Sequence, residues 1–213
     1  MSPLIARRII SYEPPIPEGV YTATCTGVID LGTPYNTKYD KPYRKLLIFG
    51  ELPAIRRRYE RDGIMVDLPR QISRQYTLSL SPEENLYYDL IGWRGREFTQ
   101  EEKLYGFDLF SILGKSCQLQ VVHNKFGGQT YANVAKVMAL PAVVVPPAPE
   151  NPLLRFSFDD ESPEIPEQAP SKVKAMIEEC PEWMALNRSA GFELPNEELE
   201  PVAVPDDEDH IPF

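Results

Sequence analysis

Residues 20–32 read VYTATCTGVIDLG, and this stretch decides the fold because polar and apolar side chains alternate along it. Alternation with a period of two is typical of a β-strand that buries one face. We predict that one face carries Tyr21, Ala23, Cys25, Ile29 and Leu31. We predict that the opposite face carries Thr22, Thr24, Thr26 and Asp30.

The segments that follow this strand extend the β pattern. After the turn-rich, aromatic residues 33–43, RKLLIFGEL at 44–52 predicts a second strand and a long hairpin. PAIRRRYERDG at 53–63 contains Pro, Gly and four arginines, so we predict a loop or arm there. MVDLPRQISRQYTLSL at 65–80 alternates again, and its Tyr76 is predicted to face the core.

A helix is predicted after the third strand. SPEENLYYDLIGW at 81–93 changes from the strand period to a helical one. Ser81 is the predicted N-cap, Pro82 fits the first turn, and Glu84 would complete a capping box. Trp93, at the end of this apolar helix, is predicted to pack in the core.

The predicted body ends in a hairpin formed by residues 116–125 and 129–140, which FGG connects. Short helical turns at 99–104 and 107–113 precede it. Several strands with a helix inserted before the last two are typical of a small closed barrel, and the OB-fold has this order. The sequence therefore predicts an all-β protein: an OB-fold β-barrel with short inserted helices and a largely disordered acidic C-terminal tail.

Charge and proline are distributed unevenly along the chain. Residues 1–140 contain 18 Lys and Arg against 15 Asp and Glu, a net charge of +3, whereas residues 141–213 contain 4 against 17, a net charge of −13. Thirteen of the 22 prolines lie in 141–213. SKVKAMIEECPEWMAL at 171–186 predicts a short amphipathic helix that is interrupted near Pro181. A mildly basic body therefore carries a strongly acidic C-terminal part.

The cysteines and the apolar runs indicate the compartment. Cys25, Cys117 and Cys180 are far apart and form no CxxC pair, which favours a reducing compartment and argues against a disulfide framework or a zinc site. The N-terminal residues contain no apolar run of signal-peptide length, and no segment approaches a membrane span. We expect a soluble cytoplasmic protein with no membrane partner.

Catalytic motifs are missing from the sequence. His210 lies in the acidic tail, and His123 lies at a strand end without a recognisable partner. HExxH, GxSxG and P-loop motifs do not occur. We therefore predict no catalytic residue, no metal ligand and no cofactor, and a protein that is not an enzyme.

Basic and aromatic residues alternate in YNTKYDKPYRK at 35–45. The candidate DNA-binding residues here are Tyr35, Lys38, Tyr39, Lys41, Tyr43, Arg44 and Lys45. Cations bind the phosphates of a single strand, and each unpaired base stacked on a ring contributes about 1–3 kcal/mol. A hairpin tip whose tyrosines pack locally is the alternative reading of this stretch.

Three further basic and aromatic clusters lie beside predicted strand ends. They supply the candidate DNA-binding residues Arg56, Arg57, Arg58, Tyr59, Arg94, Arg96, Lys125, Phe126 and Tyr131. Tyr131 fits a packed position equally well. Together with residues 35–45, these clusters favour binding to single-stranded nucleic acid.

The C-terminal DDEDHIPF at 206–213 resembles the acidic tip of bacterial single-stranded-DNA-binding proteins, which ends in several Asp followed by Ile-Pro-Phe. Residues 15–141 resemble phage-encoded single-stranded-DNA-binding proteins, in segments such as IPEGVYTATCTGVIDLGT at 16–33 and LIGWRGREFTQEE at 90–102. Matched residue by residue, the partner-binding tip comprises Asp206, Asp207, Glu208, Asp209, Ile211, Pro212 and Phe213. Glu208 replaces an Asp, and His210 interrupts the acids of the family pattern.

The resemblance implies an OB-fold that coats single-stranded DNA without sequence preference during phage DNA replication, recombination and repair. It also implies that the tip recruits replication and recombination proteins, and that a bacteriophage-encoded chain acts in the cytoplasm of its bacterial host. We accordingly predict three segments: a nucleic-acid-binding OB-fold domain at 1–141, a Pro-rich linker with a short helix at 142–196, and an acidic partner-binding tail at 197–213.

Two alternatives stay open at the level of sequence. One is a structural or interaction scaffold whose acidic tail is the functional element. The other is a metal-dependent nuclease subunit that uses its carboxylates. The sequence leaves open the oligomeric state, the binding-site size and the preference for DNA over RNA.

Overall fold

The structure is a computed structural model that describes residues 13–34, 42–61 and 63–190, without the side chains of residues 61, 189 and 190. The strands are β1 (Gly19–Gly32), β2 (Lys45–Arg61), β3 (Ile64–Thr77), β4 (Ser116–Phe126), β5 (Gln129–Met138) and β6 (Leu154–Phe156). The helices are α1 (Asn85–Arg94), α2 (Gln100–Tyr105), α3 (Ser171–Glu178) and α4 (Pro181–Ala190), and Leu109–Ile112 forms a 3₁₀ turn. Within these described ranges, no helix combines the length and apolar character that a membrane crossing requires.

An antiparallel sheet in the order β3-β2-β1-β4-β5 forms the body and curls into a half-barrel. The guanidinium of Arg74 on β3 reaches the carbonyl oxygen of Ala135 on β5 at 3.4 Å, so the two outer strands approach each other. The prediction of a mostly β protein with short helices is confirmed. Helix α1 covers one opening of the sheet, where Leu86 and Leu90 are buried among apolar residues of β1, β2 and β3.

A β-bulge divides β1 into two parts with different burial. The register with β2 shifts between Cys25 and Gly27, which adds one residue and reverses the alternation beyond it. Cys25 and Val28 consequently pack inside the half-barrel, whereas Ile29 and Leu31 pack on its outer side. The prediction that Cys25, Ile29 and Leu31 share one face is therefore wrong.

The arginine-rich residues predicted as a loop or arm at 53–63 are mostly strand. β2 continues to residue 61 and pairs with β3 in a hairpin that extends beyond the body of the sheet. Pro53 is accommodated because the register shifts between Leu52 and Arg56, so no ladder hydrogen bond is required of it. We call the projecting part, residues 56–61 with 64–69, the β2–β3 arm.

Helix α1 begins later than predicted. Glu84 is its N-cap residue and makes no side-chain cap hydrogen bond. Residues 81–84 form a turn instead, since the amide of Glu84 donates to the carbonyl oxygen of Ser81 at 2.9 Å. A capping box is present at α2, where Thr99 and Glu102 each accept a hydrogen bond from the other residue's amide.

The Pro-rich composition of 142–196 predicts a linker, but residues 150–190 of this segment pack against the sheet. β6 pairs in parallel with residues 27–29 of β1. We call residues 150–190 the C-terminal strap. It buries Leu154, Phe156, Val173 and Ile177 against four residues of the outer sheet face: Ile29, Leu31, Leu47 and Phe49. The predicted helix interrupted near Pro181 is confirmed as α3 and α4.

Candidate nucleic-acid interface

The β4–β5 hairpin tip exposes two aromatic rings beside a lysine. Gly127 and Gly128 have φ angles of 57° and 77°, which suits the two-residue turn of a tight hairpin. This turn places Phe126 and Tyr131 on an exposed ladder, with 80% and 46% of their surface accessible. Lys125, next to Phe126, is exposed as well. Rings held out of the core in this way are available for stacking.

The candidate residues of the β2–β3 arm lie on two opposite faces, because successive side chains along a strand point to opposite sides. Arg57 and Tyr59 share one face, where the guanidinium carbon lies 5.0 Å from the centre of the tyrosine ring. Arg56 and Arg58 share the other face, where both donate to the Asp67 carboxylate with Nε–O distances of 2.8 Å. The arm therefore presents one face with an aromatic–cation pair and one face with paired charges.

Two adjoining grooves lie on either side of Arg70, the first between the arm and the C-terminal strap and the second between β3, the lead-in segment and the β4–β5 hairpin. Their volumes are about 370 and 550 Å³, and Glu13 and Arg70 line both of them. Arg57 and Tyr59 also line the first groove, and Tyr131 also lines the second. The structure thus places three sequence-predicted residues, two on the arm and one on the hairpin, on a surface formed by two grooves that share Glu13 and Arg70.

Glu13 bridges the two arginines of this surface. One carboxylate oxygen lies 3.2 Å from Nε of Arg57 and the other lies 3.3 Å from Nε of Arg70. Arg70 also donates to the carbonyl oxygen of Pro14 at 2.8 Å. Neither Glu13 nor Arg70 carries a signal in the sequence, because Arg70 occurs singly in an alternating strand and Glu13 lies in the proline-rich lead-in.

Arg56 and Arg58 on the arm form ion pairs away from the grooves. Arg56 lies between Asp67 and Glu150, with an Nη2–Oε2 distance of 3.1 Å to Glu150. Hydrogen bonds from Arg56 and Arg58 lower the pKa of the Asp67 carboxyl, and those from Arg56 lower the pKa of the Glu150 carboxyl. These contacts indicate that Arg56 holds the arm to the start of the strap.

Arg44 is half-buried and is engaged by two carboxylates. Its Nε donates to both carboxylate oxygens of Asp30, at 3.1 and 3.0 Å, and its Nη1 donates to Asp159 at 3.0 Å. The hydrogen bonds to Asp30 raise the pKa of Arg44 above its usual range. This arrangement links the strand β1 to the strap, and it leaves Arg44 little capacity to bind a phosphate.

Arg94 and Arg96 both contact Glu102 on α2. Arg94 lies between the rings of Phe98 and Phe107, at 4.7 and 4.6 Å from their centres, and its side chain is 10% exposed. Arg96 is more exposed, and its guanidinium lies 3.4 Å from Glu102. The pair lies at the α1–α2 junction and lines neither of the two grooves.

The predicted cluster at 35–45 is described only in part. Tyr35, Lys38, Tyr39 and Lys41 lie outside the described residues. Tyr43 is 49% exposed, and the amine of Lys45 lies 5.7 Å from the centre of its ring and 2.8 Å from the hydroxyl of Thr77. This pair lies at the end of β2 opposite to the arm. The tip residues 206–213 also lie outside the described residues.

No family model, curated protein or solved structure matches the chain.

Across residues 13–34, 42–61 and 63–190, no group of three or more His, Cys, Asp and Glu side chains could hold a metal ion. The prediction that Tyr76 is core is confirmed, since Tyr76 is 6% exposed and donates to Asp89. Trp93 is only partly buried: it packs against the core, and its indole donates to the carbonyl oxygen of Ser116 at 3.2 Å.

Proposed function

We propose that the protein binds single-stranded DNA without sequence preference, through an OB-fold barrel, and acts in phage DNA replication, recombination and repair. The strand order β3-β2-β1-β4-β5 supports the OB-fold, since it places β1 between the two hairpins and leaves β3 and β5 as neighbours at the closing seam. The position of α1 between β3 and β4 supports it further.

One observation carries the proposal: rings and cations of the arm and of the β4–β5 hairpin lie along two grooves that share Arg70. Arg57 and the half-buried Tyr59 line the groove beside the arm, and Tyr131 lines the groove beside the hairpin. The exposed Phe126 and Lys125 lie at the tip of the same hairpin. An apolar ring at 80% exposure loses no packing when a base stacks on it. Only unpaired bases offer their faces to such rings, so the surface suits a single strand better than a duplex.

The acidic tip supplies the second part of the proposal, which rests on its sequence. Asp206, Asp207, Glu208 and Asp209 would steer the tip toward basic surfaces of replication and recombination proteins. Phe213 offers a ring for an apolar pocket and a terminal carboxylate for a neighbouring cation. Ile211 adds an apolar anchor, and Pro212 reduces the conformational freedom lost on binding.

The first test replaces the rings of the hairpin. Phe126→Ala and Tyr131→Ala should each weaken binding to a fluorescent single-stranded oligonucleotide by about 5- to 150-fold, because each stack contributes about 1–3 kcal/mol. The salt dependence of binding should stay nearly unchanged, since no phosphate contact is removed. Fluorescence anisotropy over a salt series measures both quantities.

Tyr105→Ala is the matched control, because Tyr105 is also 80% exposed but lies on α2. It should leave DNA affinity within about twofold, in line with a surface change of less than about 0.5 kcal/mol. If the Phe126 and Tyr131 variants bound single strands as well as the Tyr105 variant does, the hairpin would have no role in binding. Equal or tighter binding of the wild-type protein to a matched duplex would sink the proposal itself.

A further inference from the structure

We propose that Arg57 and Arg70 form a subsite for one phosphodiester group of the nucleic acid, and that the Glu13 carboxylate occupies this subsite when no nucleic acid is bound. The inference rests on the proposed function and assigns roles to two residues, Glu13 and Arg70, that the sequence does not single out. Glu13 would then act as an internal competitor of the DNA backbone.

The geometry of the contact fits a phosphodiester as well as a carboxylate. Each of the two Glu13 oxygens meets one guanidinium, at 3.2 Å for Arg57 and 3.3 Å for Arg70. A phosphodiester also presents two anionic oxygens, and arginine binds both groups with charge-assisted hydrogen bonds. The groove has room for a backbone, with about 370 Å³ beside Arg57 and Tyr59.

The contact is also weak enough to be exchanged. The Arg57 and Glu13 side chains are 55% and 38% exposed, and exposed ion pairs contribute about 0–1 kcal/mol. The Arg70 side chain is 19% exposed and keeps its hydrogen bond to the carbonyl oxygen of Pro14 when Glu13 leaves. The pair of Asp30 with Arg44 differs, because the Asp30 side chain is only 8% exposed and also accepts the backbone amides of Gly32 and Phe158. A phosphate can therefore replace Glu13 without dismantling a buried network.

Other contacts already hold the lead-in segment in place, so Glu13 is not needed as its anchor. Ile16 is 4% exposed and packs in the core of the half-barrel. The imidazole Nε2 of His123 lies 2.8 Å from the carbonyl oxygen of Ile16, and the hydroxyl of Tyr21 donates to that of Pro17 at 2.9 Å. These contacts would remain after Glu13 has left the arginines.

The position of the subsite suits a strand that stacks its bases on nearby rings. The Arg57 guanidinium already lies 5.0 Å from the centre of the Tyr59 ring, and Tyr131 lines the adjoining groove beside Arg70. A phosphate bound by the two arginines would therefore have a ring on either side. Alternation of phosphate contacts and stacked bases is how single strands are bound without sequence preference.

The test replaces Glu13 with Gln, which removes the competing negative charge and keeps the size and shape of the side chain. Glu13→Gln should tighten binding to a single-stranded oligonucleotide by about three- to tenfold at low salt, the range expected when exposed ion pairs no longer compete. Glu101→Gln is the matched control, because it changes the net charge equally but lies on α2. The gain should shrink to less than about twofold when Glu13→Gln is combined with Arg57→Gln, as for residues that share a contact.

A single-stranded probe of abasic sugar-phosphate units distinguishes phosphates from bases. The gain from Glu13→Gln should persist with this probe, because the subsite binds the backbone alone. Equal effects of Glu13→Gln and Glu101→Gln, or a gain seen only with base-containing DNA, would overturn the subsite and leave the proposed function standing. Wild-type protein that bound neither probe would overturn the proposed function together with this inference.

Discussion

At the scale of single residues, Glu51 shows how a buried charge can hold distant parts of the chain together. Its carboxylate is inaccessible to solvent and accepts hydrogen bonds from the amide of Glu150 at 3.1 Å, the amide of Asn151 at 2.7 Å and the side chain of Asn151 at 2.7 Å. Buried carboxylates are tolerated when such donors surround them. Glu51 therefore fixes the start of the strap to β2.

Replacing Glu51 with Gln tests this role. The substitution removes the charge and turns one acceptor into a donor that faces other donors, so an unfavourable contact replaces a hydrogen bond. We expect the free energy of unfolding to fall by about 2–3 kcal/mol in urea denaturation. Glu101→Gln, an exposed change on α2, should alter it by less than about 0.5 kcal/mol. Equal urea-denaturation midpoints for the two variants would contradict the role of Glu51 in fixing the strap to β2.

At the scale of elements, the sequence predicts most of the strands but not how they are arranged. β1 and β3 follow from alternation, and β4, β5 and the first half of β2 follow from strand-like runs bounded by turn residues; both signals depend only on neighbouring residues. The bulge in β1 and the pairing of β6 with β1 depend on contacts between residues far apart in sequence, and alternation contains no information about them.

The candidate site shows the same division. Tyr59, Phe126 and Tyr131 are predictable because aromatic residues beside cations at strand ends are a local pattern. The pairing of Arg44 with the buried carboxylate of Asp30 follows only from the folded structure. A run of arginines in a sequence thus indicates charge, but it does not indicate which charges are already neutralised by a partner.

Because the strap packs against the sheet, truncating one of its buried side chains should destabilise the protein, whereas a detached linker would show no such effect. Ile177 on α3 is inaccessible to solvent and packs with Leu31 and Phe156 in the outer cluster. Ile177→Ala should lower the free energy of unfolding by about 2–5 kcal/mol, the usual cost of a large-to-small change in a core. Val145→Ala is the control, because Val145 precedes the strap and is 89% exposed. Equal denaturation midpoints for the Ile177→Ala and Val145→Ala variants would contradict the packing of the strap against the sheet.

At the scale of the whole molecule, opposite charges lie in different parts of one chain. Residues 141–213 carry a net charge of −13, and some of these acids are used within the described fold: Glu150, Asp159 and Asp160 pair with arginines. The seven acids of residues 197–213 are not accompanied by any Lys or Arg within that range. If the protein binds DNA as proposed, these acids would compete with the DNA backbone for Arg57 and Arg70 at high effective concentration.

Deleting residues 197–213 should therefore tighten binding to single-stranded DNA at low salt, and the difference should fade as salt screens the charges. Deleting Phe213 alone separates the two roles of the tail, since it keeps the four acids at 206–209. We expect that deletion to abolish capture of replication proteins and to leave DNA affinity unchanged. A DNA affinity that responded equally to both deletions would contradict this division.

The pairing of β6 with β1 also constrains how the protein is made. Residues 27–29 leave the ribosome long before residues 154–156, and Ile177 follows later still. Until then Ile29, Leu47 and Phe49 lack their cover, so a nascent chain that has completed β5 exposes an apolar sheet surface to solvent. At about 5–20 residues per second this exposure lasts for seconds, which is long enough for a chaperone to bind. Translation that stalls between β5 and α3 would leave an aggregation-prone fragment rather than a working small barrel.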